Sequence, residues 1–130
     1  MTIEIRMLVF AALLGVVQLL VAAHGATLVR GLKWNLSSRE AKLPELVGWQ
    51  GRVDRAFKNF METFPFFIAA VVAVQFTNRN NDMSALGAQV YLYARLLYVP
   101  LYAFGIVGLR TVVWVASFVG LFLVFWPLFL

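Results

Sequence analysis

The sequence predicts an all-α integral membrane protein, a bundle of four transmembrane helices, and three observations lead there. Of the 130 residues, 62% are hydrophobic, and the mean hydropathy is +0.84; a soluble domain is about half apolar, with roughly a quarter of its residues charged. Apolar runs near 7–29, 60–76, 85–107 and 111–130 each reach or approach the roughly 20 helical residues that cross a bilayer. The connections between them are short and polar, with no repeat and no separate soluble domain.

The helices are expected at about 3–29, 52–76, 84–107 and 109–130, in one domain covering 1–130. The first, MTIEIRMLVFAALLGVVQLLVAAHGA, resembles a secretory signal. However, Glu4 offsets Arg6 in its charged front and its apolar run is long, so it reads as a retained helix. The loop of about 30–50 carries Trp34 and Trp49 at what reads as a membrane interface. There Ser37 or Ser38 could cap a short turn ahead of Pro44.

The second helix is long enough only if it starts near Gly51 or Arg52, which places Arg55, Lys58, Asn59 and Glu62 inside the span. An Asn-rich turn at 78–82 leads to the third helix. Pro100 removes a backbone hydrogen bond there and is expected to kink the helix between Tyr98 and Tyr102. Arg110 opens the fourth.

Charge sets the orientation. Arg30, Lys33, Arg39, Lys42 and Arg52 lie between the first two helices and Arg110 flanks the third connection, whereas the second connection has Arg79. By the positive-inside rule loops one and three are cytoplasmic and both termini lie outside. Short loops and the lack of a targeting segment point to a bacterial inner membrane. The net charge of +5 is not gathered into a patch with interleaved aromatics, so no nucleic-acid partner is expected.

With no cysteine there is no disulfide, no Cys-ligated metal and no thiol nucleophile from the chain itself. His24, the one histidine, reads as a packing residue, and no metal site is expected.

The polar groups inside the helices fall into stripes. Arg55, Asn59 and Glu62 are spaced i, i+4, i+7 and share a face, while Asp54 and Lys58 share another and should pair. On the third helix Tyr91, Arg95, Tyr98 and Tyr102 form a stripe. Glu62 lies about 15 Å beyond Arg52 along the axis, near the midplane with Arg95. A Glu62–Arg95 ion pair is therefore expected as a structural bridge that removes much of the cost of burying both charges.

Arg55, Asn59, Tyr98, Tyr102 and Arg110 are expected at one membrane depth. Their excess positive charge suits an anionic ligand. It equally suits arginines snorkelling to lipid phosphates beside an interfacial tyrosine belt.

RVDRAFKNFMETFPFF, VYLYARLLYVPLYAFGI and LRTVVW together resemble the MAPEG family, the membrane-associated proteins in eicosanoid and glutathione metabolism. The helix-two pattern is met by Arg55, Asn59, Glu62 and Pro65, and the helix-three pattern by Tyr93, Ala94, Arg95, Tyr98 and Tyr102. The resemblance implies a homotrimer that binds glutathione as co-substrate in a cleft between subunits, with Arg110 stabilising the thiolate. It also implies that Arg55, helped by Arg30, meets the glutathione carboxylates, that Asn59 and Glu62 hold its amide and amino groups, and that Tyr98 and Tyr102 close the pocket.

A guanidinium beside a thiol with a pKa of about 8.5 lowers that value toward working pH. The reading is thus a membrane-bound glutathione transferase or peroxidase acting on lipophilic electrophiles or lipid hydroperoxides, which arrive laterally from the membrane lipids. Thr63 and Trp114 stand where some relatives carry tyrosines, so eicosanoid synthesis is not implied. The alternatives are a non-catalytic scaffold or partner-binding protein of the same fold and, with less in its favour, a small transporter subunit.

Overall fold

In the computed structural model, which describes residues 1–38, 40, 43 and 45–130, every regular element is helical. The order is α1 (Ile3–Arg30), α2 (Leu32–Asn35), α3 (Gly48–Phe76), α4 (Asp82–Ala103) and α5 (Val107–Phe125), closed by a 3-10 turn at Trp126–Phe129. The loop cations Arg39 and Lys42, and the turn expected before Pro44, involve positions outside the described residues. The short helix that is seen, α2, comes earlier, ahead of Ser37.

Three helices, Ile3–Arg30, Gly48–Phe76 and Val107–Phe129, are long and apolar enough to cross a membrane. The 22 residues of α4 extend about 33 Å at 1.5 Å per residue. Asp82, Ser84, Gln89 and Arg95 dilute its apolar character. It packs most extensively on α5 and also on α1 and α3, so its polar stripe faces protein.

Chain chemistry explains where the helices stop. At the end of α4, Gly105 takes a φ of +73°. Its N–H donates to the Tyr102 carbonyl at 3.0 Å, and the Ile106 N–H donates to the Leu101 carbonyl at 2.9 Å. This is a Schellman ending, which glycine adopts without steric cost. It stops α4 at Ala103, short of the expected 107, although the helix does run past Pro100. Asn78, with φ 56°, ends α3 in the same manner, the Arg79 N–H donating to the Val74 carbonyl at 3.0 Å. Three residues on, Asn81 and Ser84 exchange side-chain-to-backbone hydrogen bonds, each 2.9 Å, in a capping box that starts α4.

The apolar core lies toward the N-terminal end of α1. Met7 and Ala11 meet Phe67 and Val71 of α3, Tyr91 of α4 and Val124 of α5. The rings of Phe67 and Tyr91 stack at 4.0 Å, and the Tyr91 hydroxyl is satisfied by Thr63 Oγ1 at 2.9 Å. Where α4 crosses α5 the backbones touch. A Cβ on Gly87 would lie 2.6 Å from the Gly120 carbonyl oxygen, and one on Gly120 would lie 2.6 Å from the Tyr91 nitrogen. Small residues at a helix crossing allow this approach, which replaces the hydrophobic driving force that lipid cannot supply.

At the opposite end Arg52 Nε donates to the Ala103 carbonyl at 2.7 Å, pinning the start of α3 to an otherwise orphaned carbonyl at the end of α4. The antiparallel run of α3 and α4 thereby places the first turns of α3, the last turns of α4 and the start of α5 together.

Candidate functional site

Tyr102 stands at the centre of that end. Arg55 Nε donates to its hydroxyl at 3.2 Å, and the Arg55 guanidinium carbon lies 5.9 Å from the ring centroid. The Arg110 guanidinium stacks on the same ring at 4.3 Å. One aromatic ring from α4 thus orders two cations, one from α3 and one from α5, by hydrogen bonding and by attraction to its π face.

Asn59 and Tyr98 join Arg110, Thr111 and Trp114 around a cavity of about 170 Å³. Its lining is mixed, with a guanidinium, an amide and hydroxyls set against the indole of Trp114. Trp114 is held edge-on by Phe118 at 4.6 Å. A second cavity, of about 270 Å³, is lined by Arg30, Glu45, Leu46, Asp54, Arg55 and Lys58. Arg30 closes α1, lies over Trp34 at 5.1 Å, and leaves its buried Nε without a hydrogen-bond partner. Asp54 and Lys58 form an ion pair of 3.0 Å, with Lys58 well exposed. Arg55 lines the second cavity and is linked to Arg110 of the first through Tyr102, which both guanidinium groups touch.

The structure corrects one expected contact. Arg95 is 1% exposed, and its Nη2 donates to Asn59 Oδ1 at 3.0 Å; the pair expected with Glu62 is not formed. Glu62 follows Asn59 by three positions, which turns it about 60° around the helix from Asn59 and onto an exposed face of α3. Among the described residues the ion pair that does form is Lys58–Asp54.

Arg95 is instead held by neutral groups. Its guanidinium lies 4.4 Å from the centroid of Tyr98 and 5.7 Å from that of Phe60, while Nε and Nη1 are buried without partners. A buried cation with one neutral hydrogen bond and two idle donors keeps most of its desolvation cost.

The structure therefore brings Arg55, Asn59, Tyr98, Tyr102 and Arg110 to one end of the bundle, with Arg30 nearby, and leaves Glu62 apart from either cavity. Sequence reasoning missed Thr111, which follows Arg110 and lines the same cavity, and Arg52, whose role is to tie α3 to α4. Thr111 was legible in principle from its place beside Arg110 near the start of the last helix. The Arg52 contact depends on the end of α4, which spacing does not reveal.

Arg110 can meet an anion in the first cavity beside the Trp114 indole, and Arg30, Arg55 and Lys58 offer positive charge to the second. The protein has no cluster of three or more His, Cys, Asp or Glu residues suited to a metal among the described residues. No curated protein matches the chain. The model of the MAPEG family matches residues 7–130, nearly the whole chain, and on that match this all-helical membrane protein belongs to the MAPEG family.

Proposed function

We propose that the protein binds glutathione at the Arg55–Tyr102–Arg110 end and uses its thiolate, either for transfer to a lipophilic electrophile or for reduction of a lipid hydroperoxide. The observation that carries this reading is the position of Arg110, stacked on Tyr102 at the edge of a cavity that also offers the Asn59 amide and the Tyr98 hydroxyl. A thiol placed there would meet a fixed positive charge. That favours the thiolate over the thiol, and holding it beside the electrophile supplies much of the rate.

Arg55 and Arg30 would take the carboxylates in the second cavity. With α4 as a fourth span and loops one and three on the cytoplasmic side, this end would face the compartment in which low-molecular-weight thiols are kept reduced.

A homotrimer is part of the proposal. The two cavities, about 170 and about 270 Å³, each fall below the roughly 300 Å³ at which ligand pockets usually begin. Arg55, Lys58 and Glu62 stand exposed on a helix long and apolar enough to span a membrane, and charge facing lipid costs several kcal/mol. A neighbouring copy packed on this face would complete the cleft and give Glu62 a polar environment.

The test is glutathione binding to the detergent-purified protein, followed by calorimetry and by ultraviolet thiolate absorbance. Saturable binding with a thiolate signal that Arg110→Ala abolishes is the expected result. Glutathione-dependent turnover retained in Arg110→Ala would overturn the assignment.

One observation favours a second reading. Arg95 contacts Asn59 and aromatic rings within a single chain, which a non-catalytic scaffold would also need for packing. Unaltered thermal stability with glutathione and no measurable binding would select that reading.

A further inference from the structure

Gln18 lies near the middle of α1, fifteen residues from Ile3 and twelve from Arg30. It is 5% exposed, and both its amide nitrogen and its carbonyl oxygen are buried without hydrogen-bond partners. Leaving a primary amide dry in a hydrocarbon-depth bundle is costly, because two donors and an acceptor all forgo partners. Such a residue calls for something that both donates and accepts.

The space around it indicates what that is. Gln18 borders a small cavity of about 70 Å³ between α1, Val53 of α3 and Val99 of α4. Leu14 and Val17 line that cavity and also line a larger one, of about 500 Å³, so the two adjoin. The larger is an open groove between α1 and α4, walled by Phe10, Leu13, Leu14 and Val17 on one side and Leu92 and Leu96 on the other. No charged side chain lines either space. The groove extends about 15 Å along α1 from Met7 to Val17 at 1.5 Å per residue, and the unsatisfied Gln18 amide borders the small cavity that adjoins it.

We infer that the α1–α4 groove is a binding site for a hydrophobic molecule carrying a neutral hydroxyl, with its hydrocarbon between α1 and α4 and its hydroxyl on the Gln18 amide. A hydroxyl donates to Oε1 and accepts from Nε2, matching both idle atoms at once. A charged headgroup finds no counterion there, and a plain hydrocarbon leaves the amide unsatisfied. The site is separate from the Arg110 cavity, and the inference stands without the glutathione reading.

Water can offer the same hydroxyl chemistry, and the small cavity is large enough for it. The experiment separates the two sources. The full chain in nanodiscs is photolabelled with a diazirine-bearing dodecanol, and labelled peptides are identified by mass spectrometry, with unlabelled dodecanol or dodecane as competitor.

The expected result is labelling within 10–18 and 92–96, with dodecanol competing roughly three- to tenfold better than dodecane, the margin that one or two net hydrogen bonds supply. Gln18→Leu should remove that margin while dodecane competition persists. Leu13→Trp, at an exposed groove position, should block labelling and leave Gln18 in place. Equal competition by alcohol and alkane in the wild type, or absence of groove labelling, would overturn the inference and leave water as the partner of Gln18.

Discussion

Glu4 and Arg95 are both buried charges, 3% and 1% exposed, and the protein treats them oppositely. Glu4 Oε2 accepts from Ser84 Oγ at 2.6 Å and from Asn80 Nδ2 at 2.7 Å. Gln75 Oε1 nearby accepts from Thr2 at 2.7 Å, so the start of α1, the end of α3 and the capping box of α4 are joined by short hydrogen bonds. Arg95 has one neutral hydrogen bond and two idle donors. Polar satisfaction is nearly complete where α1, α3 and α4 meet around Glu4 and incomplete around Arg95. The difference teaches that burying Arg95 is not where this bundle gains its stability, since an interior cation with idle donors contributes little to it.

The largest effect should come from the open end. Arg110→Ala removes the charge over Tyr102. If Arg110 stabilises a developing thiolate, glutathione-dependent turnover should fall on the order of 10²–10³-fold, as when one preorganised electrostatic donor is removed from an active site. Stability should change by about 1 kcal/mol or less, the usual worth of an exposed cation–π contact. A thermal shift assay beside the rate measurement separates the two. A large loss of melting temperature would make Arg110 a structural residue like Glu4.

At the closed end the ordering reverses. Glu4→Leu leaves Asn80 and Ser84 without their acceptor and should cost about 2–3 kcal/mol, the scale of hydrogen bonds to a charged group. Turnover per folded molecule should hold. Gly120→Val, which presses a side chain into the backbone of α4, should cost about 1–3 kcal/mol by overpacking. Both are read from detergent melting curves. Arg95→Met, similar in bulk and free of the unpaired donors, should cost less than Glu4→Leu. If it costs more, Arg95 holds the fold as firmly as Glu4 does and the contrast between the two ends fails.

How much of this was legible in sequence follows the same division. Apolar runs announced the helices, and the i, i+4, i+7 spacing put Arg55 and Asn59 toward Tyr98, Tyr102 and Arg110, because those relations are set by helix geometry alone. Choosing Glu62 over Asn59 as the partner of Arg95 required the rotation of α3 against α4. Three residues of helix shift direction by about 60°, enough to exchange a buried face for an exposed one. The partners of Glu4 come from a turn and a cap some eighty residues away, and Gln18 is a lone amide in an apolar run. No local periodicity marks either, since each is defined by which helices meet.

The smallest expected effect tests where the open end sits. Lys58 and Asp54 pair at 3.0 Å with Lys58 side-chain exposure of 71%. An i, i+4 pair in water contributes about 0.3–0.5 kcal/mol, so if this face meets water Lys58→Ala in the detergent-solubilised protein moves the melting temperature little and is insensitive to subunit assembly. If the neighbouring copy proposed above covers this face, the same substitution strands Asp54 in a dry interface. The loss then rises toward the 3–5 kcal/mol of a broken buried pair, with dissociation of the oligomer on native gels. A small effect places this turn of α3 in water at the membrane boundary, so that any intersubunit cleft must lie deeper, on the Glu62 face; a large one draws the subunit boundary through Lys58 itself.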